Sequence, residues 1–573
     1  MNYNGKANAQ QTYDAIVVGS GISGGWAAKE LTEKGLKVLL IERGRKVEHI
    51  KDYTTAMNTP WDNKHRTRLT PEEKEQYTIQ SRCYAFNDET KQWWVNDREN
   101  PYTEVQPFNW LRGYHLGGRS LMWGRQSYRW SDLDFGANAR DGHGTDWPIR
   151  YKDIEPWYDY VETFAGISGN RDGLAQLPDG KFLPPMDMNC LEEHARDKVN
   201  ARWKDRHIII GRTANLSKAA APQLDVKRQS CQFRNRCHWG CPFGGYFSTL
   251  SATLPAAMAT GNLTLRTDAI ALEVLYDEAR QRASGVRILD THTKKTEDYT
   301  AKIVFVNAST LGTTWLLMHS VSNRFPNGLG NDSGVLGHYL MDHHFSVGAG
   351  GRFDGFGDKY YYGRRANGVY VPRYRNLHGD EKRGYVRGFG YQGGASRGSW
   401  GRGAASAGIG VEFKKELAEP GEWGMGLGSW GECLPYHENG ATLDKSKTDA
   451  YGLPTLKINC SFKENELAMR KDMMNDAAEM LDAAGLKDIH TYDGLKDSPP
   501  GHCIHEMGTA RMGRDPKTSM LNAWNQLHAV KNVFITDGSC MASTACQNPS
   551  LTYMALTARA ADYAVKELKK GNI

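Results

Sequence analysis

The stretch YDAIVVGSGISGGWAAKELTEKGLKVLLIERG, which begins at Tyr13, constrains the fold of this chain more than any other part of the sequence. Residues 16–18 are a β-branched run of the kind found in buried strands, residues 23–34 suit a helix, and residues 38–41 indicate a second strand. Strand, glycine-rich turn, helix and strand in this order form the βαβ unit of a Rossmann-like domain. The sequence therefore predicts a parallel sheet with a phosphate-binding turn near its N-terminus.

Each glycine of this unit, and its acidic residue, has a physical reason to stand at its position. Gly19 allows the tight turn, Gly21 lets the backbone approach a pyrophosphate, and Gly24 lets the helix pack close to the strand. The helix N-terminus offers free N–H groups and the positive end of a dipole to the phosphates. Glu42 ends the second strand and can accept hydrogen bonds from a ribose diol. These residues predict a bound dinucleotide but do not separate FAD from NAD.

Length and charge exclude several other classes of protein. At 573 residues the chain is too long for one hydrophobic core and indicates two large domains. The net charge of +6 is mild and no Lys/Arg-rich run occurs, which argues against nucleic-acid binding. No apolar run is long enough to span a membrane, and the polar first residues lack the apolar stretch of a secretion signal.

Two stretches near the C-terminus are candidates for the chemistry. The first, GHCIHEMGTARMG at residues 501–513, contains His505, and a histidine titrates near neutrality, which suits a general base. His502 precedes it by three residues and is predicted to be structural. In the second stretch, Asn548-Pro549 precedes a helix-compatible run from Leu551. The N-terminus of that helix would stabilise negative charge on a flavin ring.

With these landmarks the sequence resembles the glucose–methanol–choline (GMC) family of FAD oxidoreductases. The resemblance covers nearly the whole chain, because RGYHLGGRSLMWGR from Arg112, NASTLGTTWLLMHS from Asn307 and GVLGHYLMDHH from Gly334 follow the N-terminal motif in family order. It implies FAD as the cofactor and a fold of the α/β plus α+β class. In that fold a Rossmann-like FAD-binding domain is interleaved with a sheet-based substrate domain.

The resemblance also implies how the chain divides. The FAD-binding domain would consist of three pieces, 1–130, 225–345 and 498–573, the first with a polar insertion at about 51–109. The substrate domain would consist of the two pieces between them, 131–224 and 346–497. Within the last substrate piece, residues 346–460 are rich in Gly, Tyr, Phe and Trp, and their alternating stretches predict a sheet. Its aromatic side chains are candidates to stack on the apolar faces of sugar rings.

Residue roles follow from the same resemblance. His505 matches the family's catalytic histidine, which takes the proton of a substrate hydroxyl while the carbon passes hydride to the flavin. Asn548 matches the position that holds its partner. An asparagine can hydrogen-bond the substrate oxygen without competing for its proton. Asn548 is also expected at the cofactor, together with Asp537 and Pro549.

The glycine-rich loop after Arg112 is implied to contact the flavin through Gly117, Gly118, Ser120 and Met122. Some relatives tether the flavin through a histidine at the position that Met122 occupies. Methionine cannot form that link, so we expect the FAD to be bound non-covalently.

Three of the ten cysteines cluster in CQFRNRCHWGCPFGG, where Cys231, Cys237 and Cys241 have the spacing C-x5-C-x3-C. A zinc site usually has four ligands in two close pairs, and disulfides would leave one thiol over. An iron–sulfur cluster takes thiolate ligands, and a terminal Cys-Pro recurs in cluster loops. Three local ligands fit a 3Fe–4S cluster better than a four-iron one, while inert structural thiols stay as an alternative.

The resemblance agrees with a cluster, since FAD-dependent glucose dehydrogenase catalytic subunits of this family carry a similar group of three cysteines, and glucoside 3-dehydrogenase catalytic subunits are similar overall. It implies a dehydrogenase that oxidises a ring hydroxyl of a glucoside or pyranose, at C3, and sends electrons to a cytochrome c or a quinone. We further expect a small signal-bearing accessory subunit and co-export to the periplasm, with a cytoplasmic location as the alternative. A sugar oxidase that uses O₂, with structural cysteines, and a flavoprotein without its own substrate are the competing hypotheses.

Overall fold

The computed structural model describes most of the chain. The residues described are 12–59, 61–63, 65, 68–361, 363–378 and 383–573. In this part of the chain no helix is both long and apolar enough to cross a membrane.

The strands follow the chain from the first motif to the last. They are β1 Tyr13–Val18, β2 Val38–Ile41, β3 Thr103–Glu104, β4 Ile209–Ile210, β5 Leu263–Arg266, β6 Ala269–Asp277, β7 Arg282–Asp290, β8 Thr296–Val306, β9 Val347–Phe353, β10 Val369–Val371, β11 Phe389–Arg397, β12 Trp423–Gly431, β13 Gly440–Thr448, β14 Pro454–Asn459, β15 Lys487–Asp493 and β16 Val533–Ile535.

The α-helices are distributed among both predicted domains. They are α1 Ile22–Glu33, α2 Pro71–Gln76, α3 Asp132–Phe135, α4 Ala137–Asp141, α5 Tyr151–Ala165, α6 Cys190–Arg202, α7 Thr253–Ala259, α8 Thr310–His319, α9 Gly410–Ala418, α10 Glu464–Ala483 and α11 Ser550–Lys570. The 3₁₀ segments are Gln80–Arg82, Lys91–Trp93, Gly118–Leu121, Cys237–Trp239, Trp400–Ala405, Leu495–Asp497 and Gly538–Cys540.

The first sheet has seven strands and contains the N-terminal motif. Its order is β5-β2-β1-β8-β7-β6, and β16 pairs with the C-terminal half of β8. β1 pairs in parallel with β2 and β8, whereas β6, β7 and β8 form an antiparallel meander. Strands from three distant parts of the chain therefore bring their carboxyl ends to one edge, where α/β sheets bind ligands.

Both faces of this sheet are buried, as a parallel sheet requires. Ile16 and Val18 belong to one hydrophobic cluster, and Ala15 and Val17 belong to another on the opposite face. The second cluster includes apolar residues of α1, α7 and α11. Because β1 is buried on both sides, its register is fixed, and so is the position of the glycine turn that follows it.

The second sheet is antiparallel and has six strands in the order β15-β9-β12-β11-β10-β4. α6 and α10 pack on one of its faces and form a separate core. Side chains of β12 alternate between that core and the opposite face, which leaves Trp430 and its neighbours free to face the first sheet.

The predicted polar insertion at 51–109 contains only α2, short 3₁₀ turns and β3 as regular structure in its described part. It nevertheless buries Phe86, Trp93 and Trp94 in a cluster shared with the first sheet. Gln80 donates to the carbonyl of Trp110, and the backbone N–H of Arg112 donates to Gln80. The segment is thus packed against the start of the glycine-rich loop.

Candidate active site

A cavity of about 350 Å³ lies at the carboxyl edge of the first sheet and extends to the second sheet. It brings together the ends of β1, β2, β8 and β16, the glycine-rich loop, and residues of β11 and β12. Of the residues predicted for the cofactor and the chemistry, ten line it: Gly19, Gly21, Glu42, Gly118, Ser120, Met122, His505, Asp537, Asn548 and Pro549. Gly24 and Gly117 lie directly behind this lining.

The three motif glycines have three different environments. A Cβ on Gly19 would lie 2.3 Å from the carbonyl oxygen of Asn307, and one on Gly24 would lie 1.7 Å from the carbonyl oxygen of Gly19. A Cβ on Gly21 would meet nothing within 4 Å. Gly19 and Gly24 are therefore required by packing, while the backbone of Gly21 faces open space in the cavity.

This open space is suited to a pyrophosphate. α1 begins after Gly21, which caps it without any side-chain hydrogen bond, so the first N–H groups of the helix have no side-chain acceptor at the cap. Glu42 lies at the other side of the turn, where its Oε2 accepts from the Ser20 hydroxyl at 2.5 Å and its Oε1 accepts from the Gly44 N–H at 2.8 Å. Burial raises the pKa of this carboxyl.

The glycine-rich loop closes over the same turn. Gly117 has φ +86°, and its N–H donates to the Ser20 hydroxyl at 2.9 Å. Ser120 accepts from the N–H of Thr249 at 3.0 Å, and Met122 is buried at the cavity wall. His115 is also buried, but its Nδ1 contacts the carbonyl of Leu116 and its ring is outside the cavity lining.

Asp537 and Pro549 bound the cavity from the C-terminal side. Asp537 follows β16, and it accepts from the hydroxyls of Thr313 at 2.6 Å and Ser539 at 2.5 Å. Pro549 is the N-cap of α11, so the N-terminus of that long helix points at the cavity. The positive end of the α11 dipole is therefore available to an anionic ring.

His505 and Asn548 face each other at the end of the cavity nearest the second sheet. The Asn548 amide nitrogen lies 3.3 Å from His505 Nε2. Gln392 of β11 donates to the Asn548 amide oxygen at 2.7 Å, which turns the amide nitrogen of Asn548 towards His505. The pair presents a ring nitrogen and an N–H donor side by side, as two hydrogen bonds to one hydroxyl require.

Burial lowers the pKa of His505 well below its ordinary value of 6.5, and the nearby His343 and Arg119 lower it further. A lowered pKa keeps the imidazole neutral at physiological pH, the form that can accept a proton.

The backbone around His505 is held by a buried carboxylate that sequence reasoning missed. Asp342 accepts from the N–H groups of Gly501 at 2.7 Å, Cys503 at 3.2 Å, His505 at 3.0 Å and His343 at 2.9 Å. Its own pKa is raised, chiefly by burial and also by Glu506. Asp342 lies in the stretch GVLGHYLMDHH, which carried only a family resemblance, so no local pattern marked it as an anchor.

A second buried carboxylate links His505 to the glycine-rich loop. Glu506 follows His505 directly, and both of its oxygens accept from Arg119, at 3.0 Å for the shortest contact. Arg119 also donates to the Ser309 hydroxyl at 3.0 Å. The segment that carries His505 and the glycine-rich loop are thereby joined by a bidentate ion pair.

The wall opposite the predicted flavin position is aromatic and polar. Phe345 and Trp430 stack with ring centroids 5.9 Å apart, and both line the cavity together with Gln392 and Tyr84. His502 also lines it, with its Nδ1 2.8 Å from the Asn109 amide nitrogen. The structural role of His502 stays a prediction.

Comparisons with known proteins agree with this geometry. The GMC oxidoreductase models match residues 13–345 for the N-terminal part and 435–557 for the C-terminal part. This chain belongs to the GMC oxidoreductase family. It is an FAD-dependent oxidoreductase that acts on the CH–OH group of its donor, and its two larger sheets are consistent with the two-domain fold that the resemblance implied.

Individual relatives of this GMC oxidoreductase include dehydrogenases and an oxidase. It is 30% identical to a 2-methyl-1,2-propanediol dehydrogenase of Mycolicibacterium austroafricanum over 97% of this chain and 95% of that protein. It is 24% identical to the large subunit of a fructose dehydrogenase of Gluconobacter japonicus over 99% and 100% of the two chains. A C-glycoside 3-oxidase of Arthrobacter globiformis is 28% identical over 25% of this chain and 27% of that protein.

The three clustered cysteines lie outside the main cavity of this GMC fold, on a loop beside it. All ten cysteines are free, and Cys231, Cys237 and Cys241 are half-buried. Cys241 accepts a hydrogen bond from the Gly245 N–H at 3.4 Å, and a Cβ on Gly245 would lie 3.2 Å from the Cys231 backbone and 3.5 Å from the Cys241 sulfur. Burial raises the pKa of Cys231, and the other two thiols raise it further, so the three sulfurs act on one another.

The surroundings of these thiols suit an anionic group. Arg228 is fully buried, and its Nη2 has no hydrogen-bond partner among the described residues. Burial lowers the pKa of Arg228 to about 9, although the Cys241 thiolate acts in the opposite direction. An unpaired buried cation beside thiols is costly unless an anion accompanies it. Burial raises the pKa of Cys241 and Arg234 offsets part of that rise, whereas Arg236 is paired with Glu89 at 2.8 Å. An anionic cluster held by three thiolates would balance the positive charges of Arg228 and Arg234. The sequence did not reveal the role of Arg228, because this residue lies outside the cysteine motif.

The cysteine loop touches the glycine-rich loop directly. His238 Nδ1 lies 3.2 Å from the Met122 carbonyl oxygen, and the Tyr246 hydroxyl donates to the Leu121 carbonyl at 2.7 Å. The ring of His238 packs edge-on against Tyr84, which lines the cavity. Hydrogen bonds thus join the thiol-bearing loop to the glycine-rich loop.

Proposed function

We propose that this protein is an FAD- and 3Fe–4S-dependent sugar dehydrogenase that oxidises a ring hydroxyl of a glucoside or related pyranose, at C3, to a keto sugar. FAD is held non-covalently and would supply the hydride acceptor, while a cluster on Cys231, Cys237 and Cys241 would supply a one-electron carrier. The observation that carries the proposal is the direct contact of the cysteine loop with the glycine-rich loop through His238 and Met122.

His505 and Asn548 would act on the same substrate hydroxyl. The Nε2 of His505 accepts the hydroxyl proton, and the Asn548 N–H donates to the oxygen as negative charge develops there. Because Gln392 holds the Asn548 amide in this orientation, its NH₂ group stays directed at the space beside His505 Nε2, where the substrate oxygen would lie. The substrate carbon must then lie between this pair and the flavin-contacting residues, so that its hydride is released towards the flavin.

The aromatic wall supports a ring-shaped substrate. Phe345 and Trp430 offer a stacked apolar surface against which the C–H face of a pyranose would pack, and Gln392 and Tyr84 supply polar atoms nearby. The C-glycoside 3-oxidase similarity supports oxidation at C3. The propanediol dehydrogenase similarity makes a small diol the first competitor, so both classes belong in one substrate panel.

The electron acceptor would be a cytochrome c or a quinone, reached with a small accessory subunit after co-export to the periplasm. The relative that is named a large subunit supports the idea of a multisubunit dehydrogenase. Purification of the untagged protein from its own organism, followed by identification of co-purifying chains and cell fractionation, tests these two points. A protein that purifies alone from the cytoplasm with full activity would contradict both.

The substrate test uses anaerobic flavin bleaching. Glucosides, free pyranoses, gluconate, fructose and 2-methyl-1,2-propanediol are mixed with the flavin-loaded protein, and the keto product is located by NMR. We expect a glucoside to bleach the flavin fastest and to give the 3-keto product. His505→Ala should slow bleaching by about 10²–10⁴-fold with FAD still bound; full activity of that variant would rule out the base assignment.

The cluster test separates a dehydrogenase from an oxidase. Iron and acid-labile sulfide should approach three and four atoms per chain, in line with a 3Fe–4S group. Cys237→Ser should lose the iron and the reduction of an artificial acceptor while bleaching by substrate persists. An iron-free protein that turns over with O₂ at full rate would instead establish the oxidase alternative.

A further inference from the structure

The ring of His343 is fixed by the backbone of another segment. Its Nε2 lies 2.9 Å from the carbonyl oxygen of Ala545 and 3.3 Å from that of Thr544. Carbonyl oxygens only accept hydrogen bonds, so Nε2 must carry the proton. His343 is 1% exposed and burial lowers its pKa to about 4, so the ring is neutral and its Nδ1 carries a lone pair.

This lone pair points at His505. The two Nδ1 atoms are 2.8 Å apart, and the rings meet edge-on with an interplanar angle of 89°. Since His343 Nδ1 can only accept, His505 Nδ1 must donate, and the His505 Nε2 is left as the bare nitrogen. That nitrogen is the one that faces Asn548 in the cavity.

An independent chain of hydrogen bonds leads to the same assignment. Gln392 donates to the Asn548 amide oxygen at 2.7 Å, so the Asn548 amide nitrogen is the atom turned towards His505 Nε2, 3.3 Å away. An amide N–H needs an acceptor there, which requires Nε2 to be unprotonated. Both networks therefore select the same tautomer of His505.

Cys503 is the other group that contacts the His505 Nδ1, with its sulfur 3.3 Å away. If the thiol donated to Nδ1, the lone pairs of His343 and His505 would face each other at 2.8 Å in a buried site. That arrangement loses one hydrogen bond and adds repulsion. The geometry therefore favours His343 over Cys503 as the partner that sets the tautomer.

We propose that His343 is a positioning residue that fixes His505 as the Nδ1–H tautomer and so makes Nε2 the base that faces the substrate. In the reaction, the substrate O–H bond breaks and an N–H bond forms at His505 Nε2, while the substrate C–H bond breaks and FAD, when bound, would accept its electron pair as hydride. The resulting imidazolium donates from Nδ1 to a neutral imidazole. The inference rests on the base role of His505 given under Proposed function.

The two histidines also share one backbone anchor. Asp342 Oδ1 accepts from the N–H of His343 at 2.9 Å and from that of His505 at 3.0 Å. A single carboxylate oxygen thus sets the spacing between the two backbones. Variants at His343 keep this anchor, because only the ring is changed.

The test compares His343→Asn with His343→Leu, which have nearly the same shape. The Asn amide oxygen can accept from His505 Nδ1, whereas Leu offers no acceptor. The protein is labelled with ¹⁵N-histidine, and the His505 ring signals are identified by their loss in His505→Ala. We expect a protonated Nδ1 and a bare Nε2 in the wild type and in His343→Asn, and a mixture of tautomers in His343→Leu.

The kinetic counterpart is anaerobic flavin reduction. His343→Leu should lower the limiting reduction rate by roughly 10–100-fold with a smaller change in the half-saturating substrate concentration, and His343→Asn should recover most of the rate. His344→Leu removes the neighbouring buried imidazole, which packs on Phe462, and controls for that loss. Flavin content and thermal midpoint verify that each variant folds.

The outcomes separate this inference from the proposed function. A wild-type His505 with its proton on Nε2, or equal rates for His343→Leu and the wild type, would overturn the inference. The NMR result needs no substrate, so it decides the tautomer even if no sugar bleaches the flavin. Failure of every sugar in the panel would count against the proposed substrate class only.

Discussion

At Asn548 the useful atom is the amide N–H, and a neighbour on another sheet orients it. Gln392 donates to the Asn548 oxygen from β11, so the substrate sheet sets the orientation of a residue that belongs to the flavin side. The same is true of His505, whose ring is set from the segment at Ala545 through His343. Each member of the proposed catalytic pair therefore depends on a residue that is remote in sequence.

Loss of the Asn548 donor should affect the rate more than binding. Asn548→Ala is expected to lower the rate of flavin reduction by about 100-fold, because the donor acts on charge that develops only in the transition state. Gln392→Met leaves the amide in place but unanchored and should cost about tenfold. Stopped-flow reduction at saturating substrate measures both. A fall in affinity with an unchanged limiting rate would show that Asn548 only binds substrate.

The pH dependence follows from the environment of His505. Burial, His343 and Arg119 lower its pKa well below 6.5, so the neutral base persists as the pH falls through 6.5. The titratable and charged groups around it are Asp342, His343, Cys503, Glu506 and Arg119. We expect kcat/KM for flavin reduction to show no inflection near pH 6.5, with its acid limb at lower pH. An inflection at or above 6.5 would mean that the base is solvated or is another group.

At the scale of single elements, two glycines of the turn at the start of α1 are expected to have different roles, one in packing and one in cofactor binding. A Cβ on Gly24 would lie 1.7 Å from the Gly19 carbonyl oxygen, whereas a Cβ on Gly21 meets nothing within 4 Å. Gly24→Ala should therefore lower the free energy of unfolding by more than about 3 kcal/mol. Gly21→Ala should fold with normal apoprotein stability but bind FAD at least tenfold more weakly, because its methyl group projects into the pyrophosphate space.

Urea unfolding of the apoproteins and FAD titration measure the two effects separately. Gly357→Ala serves as the control, because Gly357, like Gly21, has no positive φ and no atom within 4 Å of the added Cβ. Equal FAD affinity for Gly21→Ala and the wild type would place the pyrophosphate elsewhere.

Local sequence patterns predicted individual helices and strands but not the contacts between distant segments of the chain. The G-x-G-x-x-G turn and its flanking strands were predictable because each residue type suits the local backbone conformation at its own position. The helices α1 and α11 begin within one residue of the predicted starts. Asp342, His343 and Gln392 were not predicted, since their roles arise only when segments more than 150 residues apart meet. Arg228 was missed for a different reason: it lies just outside the cysteine motif, and its complete burial cannot be read from the local sequence.

At the scale of the whole molecule, buried charges tie the substrate sheet to the flavin side. Glu432 follows β12, is fully buried, and accepts from Arg373 at 2.7 Å. Arg387, just before β11, contacts Glu432 at 3.5 Å and also pairs with Asp141 at the end of α4. Through Asn138, this group reaches the carbonyl of Ala542 in the C-terminal piece. Three pieces of chain thus meet at one ionic network.

Breaking this network at Arg387 should destabilise the whole molecule. Arg387→Leu removes one cationic partner from buried Glu432 and from largely buried Asp141. Removal of one member of a buried ion pair typically lowers the free energy of unfolding by about 3–5 kcal/mol. The matched control is Arg324→Leu, which breaks an exposed pair with Asp332 and should cost at most about 1 kcal/mol. Urea unfolding followed by tryptophan fluorescence and by flavin release checks both. Because the network joins the second sheet to the C-terminal segment at Ala542, the two signals should shift together in Arg387→Leu. A shift in fluorescence alone would mean that the second sheet unfolds independently of the proposed flavin site.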